Sequence, residues 1–329
     1  MMKSKKSFLS FLLLVCTVIL PVSAQQMLVG SYNIRYENGD DAARGDVWAK
    51  RCQVICDQVN FLSPAIFGAQ EVLHGQLVDM LERLDGYDCI GVGRDDGKKA
   101  GEYAAIFYKK NLVKLLEQGN FWLSETPEKP GLGWDAACVR ICTWGKFAMD
   151  DLNHDFYFFN LHMDHVGTVA RREAAKLVVE KIREIAYKGK TVDLNAQNPD
   201  FQAKTTDCQP PLVILTGDFN VDQNDEIYRI FTDSGILKDS YECARLRFAE
   251  NGTFNSFKPD YFTESRIDHI FVTPTANVDA YGVFTSGYWT PDTISAQHLK
   301  SSDAPQEISF SRHKRRLASD HYPVFVRLK

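Results

Sequence analysis

The run Pro211-Pro-Leu-Val-Ile-Leu-Thr-Gly-Asp-Phe-Asn220 limits the folds open to this chain more than any other stretch. Its apolar residues form a short buried-strand pattern, and a buried strand has to sit inside a layered fold. Gly217 closes the run. Side chains two apart leave a strand on the same face, so Asp218 and Asn220 look out of the sheet edge together. The glycine beside them lets backbone or ligand come close. A strand running into an Asx turn would use the same residues without any chemistry, so the choice rests on the other strand ends.

Lys3, Lys5 and Lys6 precede an apolar run from Phe8 to Leu20, and Val22-Ser23-Ala24 is a small-residue cleavage pattern before Gln25. Residues 1–24 therefore read as a cleaved signal peptide, too short to span a membrane and followed by no second apolar run. The expected location is secreted or periplasmic. Lipid anchoring at Cys16 is the alternative, opposed by the bulky Leu14 and Val15 before it. Losing the leader removes three lysines and no acid, which moves the formal charge from −5 to −8. Such an acidic chain is no general coater of nucleic acid, although a local basic patch can still guide an anion.

Residues 25–329 carry no internal repeat or low-complexity linker and read as one domain, expected to be monomeric. The seven cysteines left after the leader are odd in number and build no dense disulfide framework. Cys52 and Cys56 share a helix face with Trp48, Ile55 and Val59, which suits a core better than a metal site.

Strands are expected at Met27–Ile34, Ala65–Gly68, Tyr87–Val92, Tyr103–Tyr108, Asn111–Leu123, Cys138–Ala148, Phe156–Leu161, Ile267–Thr273, Val278–Phe284 and Tyr322–Leu328. Asp46 is placed to cap a helix that Pro64 stops, and further helices are expected at His74–Leu84, from Thr168 to about Lys188, and from Asn224 or Asp225 to about Ser234. The polar segment 189–210 reads as a surface insertion. The long loop from Ser286 to Ala318 reads as a lid or binding loop. Several strands are hairpin-connected, so mixed sheets with helices outside fit better than a doubly wound parallel sheet.

Polar residues recur where the strands end: Asn33, Glu71, His162 with Asp164, Asp218 with Asn220, Asp268 with His269, and Ser319-Asp320-His321. Any one of them makes sense as a turn residue or a solvated side chain. Six strand ends decorated in this way by chance do not. Carboxylates and amides without a cysteine cluster suit a hard cation such as Mg²⁺ or Mn²⁺. Histidines outside zinc-motif spacing suit proton transfer and stabilisation of a phosphorane oxygen, and the set together is equipment for phosphate-ester hydrolysis.

The segments Ser31-Tyr-Asn-Ile34, Gly68-Ala-Gln-Glu71, Asn160-Leu-His162, Gly217-Asp-Phe-Asn220, Arg266-Ile-Asp-His-Ile270 and Ser319-Asp-His-Tyr-Pro323 resemble, in order, the motifs of the endonuclease/exonuclease/phosphatase superfamily. The resemblance implies a four-layer α/β/β/α sandwich of two mixed, mostly antiparallel sheets. It implies a metal held by Glu71 with Asn33 and Asp320, and an attacking water oriented by Asp218 and Asn220. His321, paired with Asp268, is implied at the scissile phosphate, and His162 at the transition state from the other side. Glu102 stands where the deoxyribonuclease branch keeps an acid that orients the equivalent of His162. Asp164 and His165 are implied as further substrate or metal contacts, and His269 stands where many relatives have tyrosine.

The shared core specifies the bond cleaved and leaves the leaving group open. A small molecule, a lipid headgroup or a nucleic acid would each present the phosphate ester. The basic cluster Arg312-His-Lys-Arg-Arg316 precedes the last motif, and Arg312, Arg315 and Arg316 are expected to close over an anionic substrate; the plain alternative is a solvated charge run. Tyr288 and Trp289 are placed to stack a base or sugar, or to pack under the loop. A secreted nuclease and a non-catalytic binding module on the same fold are the competing functions.

Overall fold

Alternation along the strands decides how the layers stack. In Phe156–His162, Tyr157, Phe159 and Leu161 join one apolar cluster while Phe156 and Phe158 join another. Leu212–Asp218 divides in the same way, with Val213 and Leu215 on one face and Ile214 on the other. A strand buried on both faces needs a partner layer on each side.

The computed structural model describes residues 26–150, 152, 154–188, 210–292, 305 and 310–329. The leader with Cys16, and residues 189–209 of the expected insertion, lie outside the described residues. Six strands form one sheet, in the order Val113–Trp122, Ile141–Met149, Phe156–His162, Leu212–Asp218, Asp268–Val272, Lys238–Asp239. Seven form the other: Leu246–Phe248, Val278–Val283, Val324–Leu328, Met27–Asn33, Ile66–Val72, Tyr103–Lys109, Tyr87–Ile90. Both are mixed. Met27–Asn33 runs parallel to Ile66–Val72, Leu246–Phe248 to Val278–Val283, and Phe156–His162 to Leu212–Asp218; the other ladders are antiparallel.

The central core holds Val29, Ile66, Val324 and Val326 of the seven-stranded sheet against Phe156, Phe158, Ile214 and Ile270 of the six-stranded one. Helices Trp48–Leu62 and His74–Arg83 cover the outer face of the first sheet through Trp48, Ile55, Val59 and Leu77. Helices Thr168–Tyr187 and Glu226–Thr232 cover the second through Val178, Ile182, Ile227 and Phe231. The result is the four-layer α/β/β/α sandwich.

Between the sheets a polar network replaces apolar packing beneath the strand ends. Gln70 donates to Ser31 Oγ at 3.2 Å and to Asn160 Oδ1 at 2.7 Å, and Asn160 donates to the carbonyls of Ala69 and Ala105 at 3.0 and 2.9 Å. All three residues are fully buried, and of their side-chain polar atoms Gln70 Oε1 alone has no partner among the described residues. Gly68 makes room for it, because a Cβ there would stand 2.3 Å from both Asn160 Oδ1 and Thr216 Oγ1.

Two local expectations are corrected. Asp46 does not cap the first long helix: Val47 occupies that position without a side-chain bond, and the Asp46 carboxylate pairs with Arg316 at 2.7 Å. The 286–318 loop is not uniformly irregular, since Tyr288–Pro291 and His313–Arg316 pair as an antiparallel ribbon. The lid expectation otherwise falls on residues 293–304 and 306–309, outside the described residues.

Candidate active site

The inward-facing strand ends converge at one edge of the sheet interface. Met27 and Val29 put Asn33 on the inner face, Phe156 and Phe158 do the same for His162, and Ile214 for Asp218. Asp268 pairs directly with Asp218 in the ladder. Glu71 departs from this alternation. Gln70 already faces inward, and Glu71 reaches the same side because its backbone takes φ 60° at a shift in register between Ala69 and Val72. Arg35 and Asn220 are also left-handed, at φ 59° and 51°, so three non-glycine residues in this sparsely populated region surround one pocket.

Asn33 is the link between carboxylates. Its Nδ2 donates to Glu71 Oε1 at 3.0 Å and to Asp218 Oδ2 at 2.9 Å, while its Oδ1 accepts from the Arg35 amide. Asp218 Oδ2 lies 3.5 Å from His162 Nε2 and 3.7 Å from His321 Nε2. His321 Nδ1 is 2.8 Å from Asp268 Oδ2. Glu71 Oε2 accepts from the Tyr36 amide at 3.1 Å. Arg35 faces Glu71 at 3.9 Å and Asp320 at 3.6 Å. Asn220 donates its amide N–H to Asp218 Oδ1 and its side-chain Nδ2 to the Met163 carbonyl, each at 3.0 Å.

Burial and neighbours separate the titrating groups. Burial pushes the Asp218 carboxyl up to about 7; His321 opposes the rise and Asp268 adds to it. For His321 burial disfavours the charge, but Asp268 and Asp218 together outweigh it and hold the imidazole well above its ordinary value. His162 goes the other way, well below, through burial and then the nearby Arg140 and Arg94 guanidinium groups. One imidazole is thus charged and the other neutral at the same carboxylate.

The donor set fits a hard divalent cation. Glu71, Asp218 and Asp320 line the same cavity of about 540 Å³, and Glu71, His162 and Asp218 each offer a ligand atom within 4.8 Å of the others. Burial raises the Asp320 carboxyl; His321 and Arg35 oppose the rise and Glu71 adds to it, so a cation beside these acids would be favourable.

Of the residues expected from sequence, Asn33, Glu71, His162, Asp218, Asn220, Asp268, Asp320 and His321 come together here. His165 and Glu102 line the cavity, but Glu102 does not bond His162. Both its oxygens are held by Arg94, at 2.7 and 3.0 Å, and His162 Nδ1 stands 3.8 Å away. Asp164 faces the loop instead. It accepts from the amides of Ala137, Cys138, Val166 and Gly167 at 2.7 to 3.2 Å, which draw its carboxyl down to about 2 against the effect of burial. His269 bonds the Val221 carbonyl at 3.0 Å beneath the sheet.

The basic cluster does not line this cavity. Arg316 pairs with Asp46, Arg315 donates to the Thr285 carbonyl, and Arg312 borders a separate recess with Trp289. Arg316 thereby ties the ribbon to the start of the helix Trp48–Leu62, and Arg315 ties it to the chain that enters it.

Sequence reasoning missed Arg35, Arg94, Arg140 and Phe254, which line the cavity, and the fully buried Arg51. Arg51 donates to the carbonyls of Ile34, Arg35, Tyr36, Asp46 and Ala318 at 2.7 to 3.4 Å, tying the Asn33 loop to the Asp320 loop. The available signal was its position three residues from Trp48 and four from Ile55 on the apolar helix face.

The Endonuclease/Exonuclease/phosphatase family model matches residues 30–321. The structure is similar to that of a mannosyl-6-phosphatase from Bacteroides thetaiotaomicron, with 46% sequence identity, 92% of this chain and 99% of that chain covered, and a TM-score of 0.79. It is similar to an endonuclease/exonuclease/phosphatase from Bacteroides vulgatus at 33% identity, 93% and 99% coverage, and a TM-score of 0.73. An uncharacterized protein of Acanthamoeba polyphaga mimivirus is 24% identical over 290 residues, covering 85% of this chain and 91% of that protein.

Proposed function

Because this chain belongs to the endonuclease/exonuclease/phosphatase family, whose members are phosphoesterase hydrolases, we propose that it is a divalent-metal-dependent phosphomonoesterase acting on sugar phosphates. The observation that carries the reading is the meeting of Asp218 with two oppositely tuned imidazoles, 3.5 and 3.7 Å from one carboxylate oxygen. The sugar phosphate comes from the 46% identical relative whose name specifies a mannosyl-6-phosphate substrate. A cavity of about 540 Å³ fits a small leaving group better than duplex DNA, which needs a basic groove and phosphate-contacting loops.

Glu71 and Asp320, with Asn33, would hold Mg²⁺ or Mn²⁺. Bound there, the ion supplies neutralisation of charge on a phosphoryl oxygen. The chain does the rest. Asp218, anchored by the Asn220 and Asn33 N–H groups, orients the attacking water and accepts its proton. His321, kept charged by Asp268, meets the developing negative charge, and the neutral His162 donates from the opposite side. Arg140 and Arg35 add positive charge at the cavity wall.

The test is phosphate release from mannose 6-phosphate by the mature chain, with magnesium, with manganese and with chelator. Release that disappears with chelator supports the reading. Nicking of supercoiled plasmid without phosphate release would replace it by the nuclease, and no turnover of either would leave the binding module. A monomer exported through the 1–24 leader completes the proposal. Among the described residues no helix is long and apolar enough to cross a membrane.

A further inference from the structure

We infer that Arg94 and Glu102, with Arg140, form a subsite for the hydroxyl groups of a neutral polyhydroxyl leaving group; this rests on the sugar-phosphate reading above. Three buried polar atoms in this wall have no hydrogen-bond partner: Arg94 Nε, Arg140 Nη1 and His162 Nδ1. Arg140 is 4% exposed and His162 8%, so bulk water does not compensate them. An unpaired buried group is destabilising, and three together mark a place where a ligand supplies what the protein lacks.

The geometry selects the ligand chemistry. Arg94, Glu102, Arg140 and His162 line one recess of about 10 Å³, roughly the room one oxygen atom needs. The same four residues line the main cavity. The Arg94–Glu102 pair is internally neutralised by two parallel N–H···O bonds of 2.7 and 3.0 Å. A second phosphate here would meet the Glu102 carboxylate. A hydroxyl meets an acceptor in Glu102 and donors in the two guanidinium groups, and uses both. Arg94 is held for this purpose, its amide donating to the Glu102 carbonyl at 3.1 Å and its carbonyl accepting from Trp122 Nε1 at 2.7 Å. Phe254, 41% exposed on the same cavity and edge-on to His321 at 5.0 Å, offers an apolar surface for the carbon face of a ring.

Calorimetric titration of the mature chain in chelator, where nothing turns over, reads binding alone. Wild type should bind mannose 6-phosphate at least about tenfold more tightly than inorganic phosphate. Glu102→Gln should weaken the sugar phosphate about fivefold or more while strengthening inorganic phosphate, because a hydroxyl acceptor is weakened and a repelling charge removed. Arg94→Leu should erase the preference for the sugar phosphate. No preference in wild type, or changes of the same sign and size for both ligands in the variants, overturns the subsite. If Arg94→Leu fails to fold, the isosteric Glu102→Gln decides alone, through the opposite signs. Phosphate release in magnesium is measured in parallel: turnover without a sugar preference sinks the subsite only, and a sugar preference without turnover sinks the phosphatase only.

Discussion

His321 Nδ1 lies 2.8 Å from Asp268 Oδ2, although 53 residues separate the two in sequence. Asp268 opens a strand whose first residue pairs with Asp218, and His321 enters beside it through a bridge to Phe254. Two acids on adjacent strands therefore face one imidazole, and the imidazole stays charged because both are there.

Replacing Asp268 by Asn should remove the main group that keeps His321 charged. The activity that needs protonated His321 is lost as pH rises through its elevated value, so in Asp268→Asn the alkaline limb of the kcat/KM profile moves to lower pH. At neutral pH a loss of roughly 10²-fold is expected. An unmoved alkaline limb would show that His321 is charged for some other reason.

Asp218→Asn should lose turnover, by about 10³-fold or more, and gain stability in metal-free buffer. The folded carboxyl titrates near 7, above its ordinary value of about 3.9. Its contribution to stability is thus present at low pH and lost as pH rises through about 7. At pH 8 the variant should resist thermal unfolding better than wild type, by on the order of 1 kcal/mol. A lower melting temperature at that pH would contradict the burial argument.

Glu71→Gln keeps the shape and removes half the carboxylate's ligand capacity. The magnesium concentration for half-maximal activity should rise by about tenfold or more, with the fold intact by circular dichroism. A titration that overlays wild type would take Glu71 out of the metal site.

Asp164→Asn tests a structural assignment. The Asp164 carboxyl titrates near 2, so its stabilisation exists above about pH 4 and fades as pH falls through 2. The variant should be less stable at neutral pH, by on the order of 1 kcal/mol after solvent screening, and the gap should close in acid. Urea unfolding at several pH values measures it.

Arg51→Met removes one donor from five carbonyls, of which those of Arg35 and Tyr36 keep a bond from Gln76 and Asn38. The expected cost is roughly 3 kcal/mol or more in urea unfolding, with partial recovery in Arg51→Lys. A neutral result would mean those carbonyls find other donors.

Much of the architecture was legible because strand alternation and helix spacing are local. The runs ending in Asn33, His162 and Asp218 announce their own inner faces, and the helix from Thr168 shows its apolar stripe. Arginine roles were not legible. Arg94 and Arg140 sit near strands without adding to any period, while the run Arg312–Arg316 drew attention by charge density, and its Arg316 and Arg315 bond Asp46 and Thr285 away from the cavity.

The amino-acid order alone determined which chemistry stands at the strand ends, since residues two apart on an extended chain must share a face and apolar residues must turn that face inward. Only the assembled sheets decided where Glu71 points and whom Glu102 binds. The first depends on a left-handed backbone angle set by a register shift between two neighbouring strands. The second depends on a through-space distance to an arginine, which no spacing along the chain encodes.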